Sequence, residues 1–314
     1  MARILVTQSL VPGGIDPLAR SDHELVIRDE PYPMSRAELR EYVEEVDAVL
    51  CLLSDRIDDE VLSNAPRLRV IANIAVGYDN IDLEAATSRG IMVLNTPGVL
   101  DASTADLAVF LMLAARRRTT EAERVLREGR WQGWGLSQQL GSDLSGAVVG
   151  LVGYGRIAQA VERRLVGFDA SVVHHTRHDT GHPGWRPDLR EMSSGVDVLS
   201  IHVPSSSSTK HLVDGRVLGS LPRSAVVINT ARGSVLDEVA LATALTSGSI
   251  AGAGLDVYDG EPTVNPLLLD APNVTLLPHI GSATISTRRA MCQLAATGLL
   301  DALRGGVPSN VVRW

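Results

Sequence analysis

The sequence predicts an α/β fold of two parallel-sheet domains around a cleft, on three observations. Short apolar runs of strand length recur along the whole chain. Amphipathic stretches separate them, the pattern of parallel strands covered by helices on both faces. One run, Val148-Val149-Gly150-Leu151-Val152, leads into Gly153-Tyr154-Gly155-Arg156-Ile157-Ala158 and a helical segment to Val166. A second strand, Ser171 to His175, follows and ends at Thr176-Arg177. The turn has the form G-x-G-x-x-A. Gly153 permits the tight turn, Gly155 lets a pyrophosphate approach the backbone, and Ala158 lets the helix pack on the strand. The amides of Arg156 and Ile157 then face the phosphates from a helix N-terminus. In this strand–turn–helix context the pattern reads as a dinucleotide site.

The remaining elements follow in order. The first third carries strands at Ile4–Thr7, Leu25–Ile27, Ala48–Leu53, Val70–Ile74 and Met92–Leu94. Between them, Ser35 to Val46 is amphipathic, with Ser35 as N-cap and Glu38 in the capping-box position. Asn95-Thr96-Pro97-Gly98 breaks the pattern, and a long apolar helix, 102 to 118, closes on Arg116-Arg117-Arg118. Three cations at a helix C-terminus read as a solvated end that offsets the helix dipole. Gly129 to Asp143 places Trp131 and Trp134 among glycines and reads as a looser surface segment, with a partner subunit as one surface it could cover. Later strands fall at Val196–Val203, Ala225–Thr230, Ile250–Val257 and Val274–Leu277, with a helix at Asp237–Thr246. The last helix, 284 to 303, is long enough to return to the first domain. The domains are therefore 1–97 completed by 285–314, and 98–284.

Composition narrows the function classes. A chain of 314 residues, 45% of them hydrophobic, has room for two cores. No run approaches the roughly 18 apolar residues of a membrane span, and Met1-Ala2-Arg3-Ile4 enters a strand pattern without a secretory signal. Cys51 and Cys292 make no metal spacing and read as buried thiols of a cytoplasmic protein. With 37 acids against 29 Lys and Arg, the net charge of −8 argues against nucleic acid as a partner.

Three polar features end strands in the second half: Asn229-Thr230-Ala231-Arg232-Gly233, Asp259-Gly260-Glu261-Pro262 and Pro278-His279-Ile280-Gly281-Ser282. Ligands bind at such strand ends in open sheets, and an arginine there offers a fork suited to a carboxylate. With the glycine turn, Gly254-Leu255-Asp256-Val257, Val76-Gly77-Tyr78-Asp79-Asn80-Ile81-Asp82 and Asn95-Thr96-Pro97-Gly98-Val99-Leu100, these motifs resemble the D-isomer-specific 2-hydroxyacid dehydrogenase family over nearly the whole chain. Pro278 to Thr284 is most similar to its glyoxylate/hydroxypyruvate reductase branch.

The resemblance implies two Rossmann-like domains, one flavodoxin-like and one dinucleotide-binding, and a homodimer formed through the nucleotide domain. It implies reduction of a small 2-oxo acid to the D-2-hydroxy acid, with Arg232, Glu261 and His279 as the catalytic groups. Arg232 would hold the substrate carboxylate and polarise the ketone. His279 would protonate the ketone oxygen as hydride arrives, and Glu261 would orient its ring. Reduction would then be favoured at lower pH. By the same correspondence Val76 and Gly77 offer amides to the carboxylate, with Leu53 and Ser54 nearby. Thr104 falls near the cofactor phosphates, Val203 and Pro204 at the adenine, Thr230 by the nicotinamide ribose, and Asp256 at the carboxamide or as a plain turn aspartate. Two lobes around a cleft imply hinges near 95–101 and 281–286.

The cofactor position departs from the usual pattern. NAD-using members place an acid at the end of the second strand to bond the ribose 2′-hydroxyl. Here the matching residue is Thr176, followed by Arg177, a pair suited to a 2′-phosphate. The expected cofactor is NADP(H), with NAD(H) second. His174, His175, His178 and His182 match no closed ligand set, so no metal site is expected. Alternatives are a phosphoglycerate or phosphonate dehydrogenase, or, in a different class, a nucleotide-sensing corepressor. A formate dehydrogenase would carry glutamine where Glu261 stands.

Overall fold

Five apolar runs form the first sheet: β1 (Arg3–Val6), β2 (Glu24–Ile27), β3 (Ala48–Cys51), β4 (Val70–Asn73) and β5 (Met92–Leu94). The computed structural model describes residues 1–313. β3 and β4 are buried at every residue, as strands covered on both faces must be. All neighbours pair parallel in the order β2-β1-β3-β4-β5, the flavodoxin-like order. The connecting helices are α1 (Asp16–Ala19), α2 (Arg36–Val43), α3 (Asp59–Ser63) and α4 (Leu83–Ser88). Ser35 and Glu38 close the full capping box on α2, while Asp58 and Asp82 cap α3 and α4. β3 stops at Cys51, short of the Leu53 expected from the apolar run, because the Leu52 amide turns to the Asp55 carboxylate (2.8 Å).

The second unit opens with α5 (Asp101–Arg116) and α6 (Thr119–Arg127). Then come β6 (Val148–Val152), α7 (Arg156–Leu165), β7 (Ser171–His175), β8 (Trp185–Arg186) and α8 (Leu189–Ser193). β9 (Val198–Ile201), α9 (Gly215–Leu218), β10 (Val226–Asn229), α10 (Glu238–Thr246), β11 (Gly252–Leu255), α11 (Pro266–Leu269) and β12 (Val274–Leu276) complete it. Its seven-stranded sheet runs β12-β11-β10-β9-β6-β7-β8, all parallel. The order reverses between β6 and β9, the doubly wound Rossmann arrangement. β8 is too short to carry a periodic signal and is absent from the sequence reading.

The arginine run after α5 differs from its expected solvated end. Arg116 is only 8% exposed. Its Nε donates to the Asp143 carbonyl (2.8 Å) and its Nη1 to the Asp197 carbonyl (3.2 Å). Arg118, in the left-handed region at φ 53, starts α6 and pairs with Glu121 (2.6 Å). These partners come from distant parts of the chain, so no local pattern announces them.

The final helix, α12 (Ile285–Leu303), is capped by Thr284 and packs on β3, β4, β5 and α1. The chain thus divides into Met1–Leu100 with the residues from Ser282 onward, and Asp101–Gly281. Among the described residues no helix is long and apolar enough to cross a membrane. Cys51 and Cys292 are buried free thiols.

Candidate active site

In an open parallel sheet a ligand binds outside the strand carboxyl ends where strand order reverses. In the second unit that place lies between β6 and β9. Past β6 the chain turns at Gly153, with φ 93, and the Gly153 amide donates to the His175 carbonyl (2.9 Å). A Cβ at Gly153 would stand 2.7 Å from the His202 carbonyl oxygen and 2.7 Å from Val203 Cγ1, both just past β9. Backbone angle and neighbouring strand therefore both demand glycine here.

Gly155 is different. Its φ of −79 suits any residue, and a Cβ there would meet nothing within 4 Å. The chain's own packing gives no reason for glycine at 155, whereas close approach of a ligand to this backbone does. Gly155 is the N-cap of α7 and supplies no side-chain cap, so the first-turn amides around Arg156 and Ile157 are left for a partner outside the helix. The Arg156 side chain pairs with Asp101 (3.2 Å), and Ala158 is fully buried. Behind the turn the Tyr154 ring stacks on His174 at 3.9 Å, and its hydroxyl donates to Glu162. Burial and that carboxylate push the phenol up to about 12, while burial and the neighbouring His182 push His174 down.

Thr176 follows β7, where its hydroxyl donates to the His178 carbonyl (2.7 Å). Arg177 is exposed and makes no ion pair among the described residues. Val203 and Pro204 follow β9, and the Pro204 carbonyl accepts from Thr209 (2.7 Å). Thr104 is buried in the first turn of α5, with its hydroxyl 3.5 Å from the Gly281 carbonyl.

The polar groups gather at the carboxyl ends of β10, β11 and β12. Asn229, fully buried at the end of β10, accepts from the Ala231 amide (3.0 Å) and donates to the Arg232 carbonyl (2.9 Å). This fixes the turn that presents Thr230 and Arg232. Thr230 Oγ1 is buried without a hydrogen-bond partner among the described residues. At Gly233 a Cβ would stand 1.9 Å from the Tyr258 carbonyl carbon. Only glycine lets this turn close on the segment that leads to Glu261.

Glu261 makes two bonds. Its Oε1 accepts from the Tyr258 amide (2.9 Å), and its Oε2 lies 2.7 Å from His279 Nδ1. The Asp259 amide donates to Glu238 of α10 (2.8 Å), fixing the same turn from behind. His279 has φ 55, the left-handed region that side-chain-bearing residues rarely occupy outside turns and functional sites. The Asp256 carboxylate holds it there, one oxygen taking the Ile280 amide and the other the Gly281 amide, each at 2.7 Å. Burial pushes Asp256 up against the pull of those two amides. Burial also acts to raise Glu261, but the hydrogen bond and charge of His279, with help from Tyr258 and Arg232, outweigh it and hold the carboxyl low. With Nδ1 engaged on Glu261, His279 Nε2 has no partner among the described residues, and the side chain is 25% exposed.

In the first unit, Leu53 and Ser54 are exposed on the loop after β3. Val76 and Gly77 are half-buried after β4. The Val76 carbonyl accepts from Asn95 Nδ2 (2.8 Å), and Ser54 Oγ lies 3.4 Å from Gln8 Nε2. All four stand at the carboxyl edge of their own sheet.

Residues 109–281 match the family described as D-isomer specific 2-hydroxyacid dehydrogenase, NAD binding domain. The chain belongs to this family. It is an oxidoreductase with a site for a nicotinamide dinucleotide. A glyoxylate reductase of Thermococcus litoralis is 41% identical over 321 residues, spanning 99% of this chain and 96% of that one. The crystal structure of the TT0316 protein from Thermus thermophilus superimposes with a TM-score of 0.93 at 41% identity, covering 99% and 100% of the two chains. An NADPH-dependent glyoxylate/hydroxypyruvate reductase of Sinorhizobium meliloti, solved with NADP and malonate, gives 0.88 at 39% identity over 99% and 96%.

Several groups that shape this dehydrogenase's site escape a reading of the sequence. Glu238 looks like an ordinary acid in the first turn of a helix, yet it is 7% exposed and holds the Asp259 amide. Tyr258 sends its hydroxyl to the Leu277 carbonyl (2.9 Å), tying the ends of β11 and β12. Asn229 carried a weak signal, as a polar residue closing an apolar strand.

Proposed function

We propose that this dehydrogenase reduces a small 2-oxo acid of the glyoxylate or hydroxypyruvate kind to the D-2-hydroxy acid, with NADPH as the preferred hydride source. The observation that carries the reading is the pair of His279 and Glu261 at 2.7 Å, beside Arg232 on the strand edge that holds the glycine turn. The residues from Asp101 to Gly281 hold the dinucleotide, and the first unit takes the substrate.

When bound, the reduced nicotinamide supplies a hydride to the ketone carbon. Arg232 binds the carboxylate as a planar fork and draws charge from the ketone oxygen. His279 Nε2 gives that oxygen a proton and is left neutral until solvent restores it. Glu261 holds Nδ1 and so fixes both the ring and its tautomer. Val76 and Gly77 offer backbone amides to the carboxylate, with Leu53 and Ser54 bordering the substrate. On the cofactor side, Gly153, Gly155, Arg156 and Ile157 face the pyrophosphate. Thr104, Val203, Pro204, Thr230 and Asp256 line the remainder, and Thr230 Oγ1 offers a hydroxyl that no described residue satisfies.

NADPH is preferred because no carboxylate stands at Thr176 and the exposed Arg177, without an ion pair among the described residues, offers a cation for a 2′-phosphate. The relative from Sinorhizobium meliloti is named as NADPH-dependent. A kcat/KM panel over glyoxylate, hydroxypyruvate, pyruvate, bulkier oxo acids and phosphite, with each cofactor, tests both halves. Glyoxylate and hydroxypyruvate should lead, with NADPH favoured by roughly tenfold or more and Arg177→Ala removing most of that preference. Absence of turnover on every oxo acid would sink the 2-oxo-acid reading, and undiminished turnover in His279→Ala would sink the role of His279. A tenfold preference for NADH would sink the cofactor reading alone. The exposed Trp131, Trp134, Leu136 and Leu140 favour a homodimer through this segment, and a monomeric mass in sedimentation would contradict it.

A further inference from the structure

The two loops that the proposed function assigns to the substrate carboxylate are wired together by one side chain. Asn80 Nδ2 donates to the Leu52 carbonyl (3.1 Å) and to the Asp55 carbonyl (3.0 Å), so it grips both ends of the segment that carries Leu53 and Ser54. Asn80 Oδ1 accepts from Asn73 Nδ2 (3.0 Å), and the same Asn73 nitrogen donates to the Gly77 carbonyl (2.9 Å). A continuous chain of hydrogen bonds therefore runs from the Leu52–Asp55 turn to the Val76–Gly77 turn. The Asn80 main chain adds a third tie, its carbonyl accepting from the Ile57 amide (2.9 Å).

The far end of this chain is anchored in the core. Asp55 is 1% exposed, and one of its oxygens accepts from the Leu52 amide (2.8 Å) and from Thr7 Oγ1 (2.5 Å) at the end of β1. Asn73 is fully buried at the last position of β4, where its Oδ1 lies 3.6 Å from Cys51 Sγ. Asn80 itself is only half-buried, on the loop. Two rigid anchors thus meet in one loop amide. An asparagine suits this place because it presents two donors and an acceptor in one plane. Aspartate has the same shape and no donor.

We propose that Asn80 is a positioning residue for substrate. It sets the spacing of the Leu53–Ser54 and Val76–Gly77 turns and thereby the aim of the Val76 and Gly77 amides. It need touch neither substrate nor cofactor. This rests on the reading that those turns receive the carboxylate. A misaimed amide pair weakens binding of every 2-oxo acid while leaving the dinucleotide residues unaltered, so the signature is a split between constants.

The test uses the full-length protein with Asn80→Asp, Asn80→Ala and, as a separate probe, Arg232→Gln. KM for glyoxylate and hydroxypyruvate, kcat, and the dissociation constant of NADPH by fluorescence are measured for each, alongside the thermal midpoint. Asn80→Asp should raise both oxo-acid KM values by roughly tenfold or more while the NADPH constant stays within about twofold. Asn80→Ala, which removes the donors without placing a carboxylate against two carbonyls, should show the same split and covers the case in which the aspartate variant fails to fold. Equal losses in oxo-acid and NADPH binding, or an unchanged KM, in a folded Asn80 variant would overturn the assignment. If Arg232→Gln also leaves KM unchanged, it is the carboxylate reading that falls. If Arg232→Gln raises KM and the Asn80 variants do not, the positioning role alone is wrong.

Discussion

Glu261 sits under two opposed influences. Burial favours its neutral form, and the His279 hydrogen bond and charge favour the anion and prevail, so its carboxyl titrates below the ordinary glutamate value of 4.5. A depressed folded value means that the pairing contributes stability above the unfolded value, and that this contribution is lost as pH falls through the lower folded one. At neutral pH the carboxylate is therefore charged and available to an imidazolium. Glu261→Gln keeps an acceptor for Nδ1–H and removes the charge. It should cut kcat for reduction by roughly a hundredfold and move the alkaline limb of the reduction profile to lower pH. A kcat profile of the variant that overlays the wild type from pH 5 to 9, values chosen to span the histidine range at roughly 6.5, would show that the charge has no part in the proton transfer.

At the scale of elements, what the sequence disclosed and what it hid have separate physical causes. Strands and helices were legible because burial and capping write themselves into local sequence, as in the unbroken apolar runs of β6 and β10 and the capped start of α2. The glycine turn was legible for the same reason, yet its two glycines have different grounds. Gly153 answers to the chain, through its φ of 93 and the His202 carbonyl, and Gly155 does not. Only the structure separates them. Arg232, Glu261 and His279 are expected from the sequence because each lies in a polar motif after an apolar strand that resembles the family's pattern. Asn73, Glu238 and the buried Arg116 are not, because the partners that give them meaning lie in other elements: Gly77 and Asn80, the turn after β11, and the carbonyls of Asp143 and Asp197. β8, two residues long, has no period to detect.

For the whole molecule, the response to acid is decided by which buried groups change charge first. His202 stands at the reversal of the second sheet, its Nε2 2.9 Å from Ser200 Oγ, and burial pushes its imidazole down to about 4. His174, behind the glycine turn, is also pushed down, by burial and by the neighbouring His182. An unfolded histidine takes its proton near 6.5. Below that pH the unfolded chain therefore binds protons that the folded chain refuses, and stability is lost as pH falls from 6.5 towards about 4. Asp55, Asp256 and Glu238 act in the opposite sense, because burial raises all three, and they oppose the loss. A full shift at His202 would be worth roughly 3 kcal/mol, and partial solvent access reduces this to about 1–2 kcal/mol. Urea unfolding at pH 7.5 and pH 5, followed through the second unit, should show a loss of about that size, and His202→Asn should remove most of it. An unchanged pH slope in His202→Asn would place the acid lability elsewhere, with His174 the next group to test.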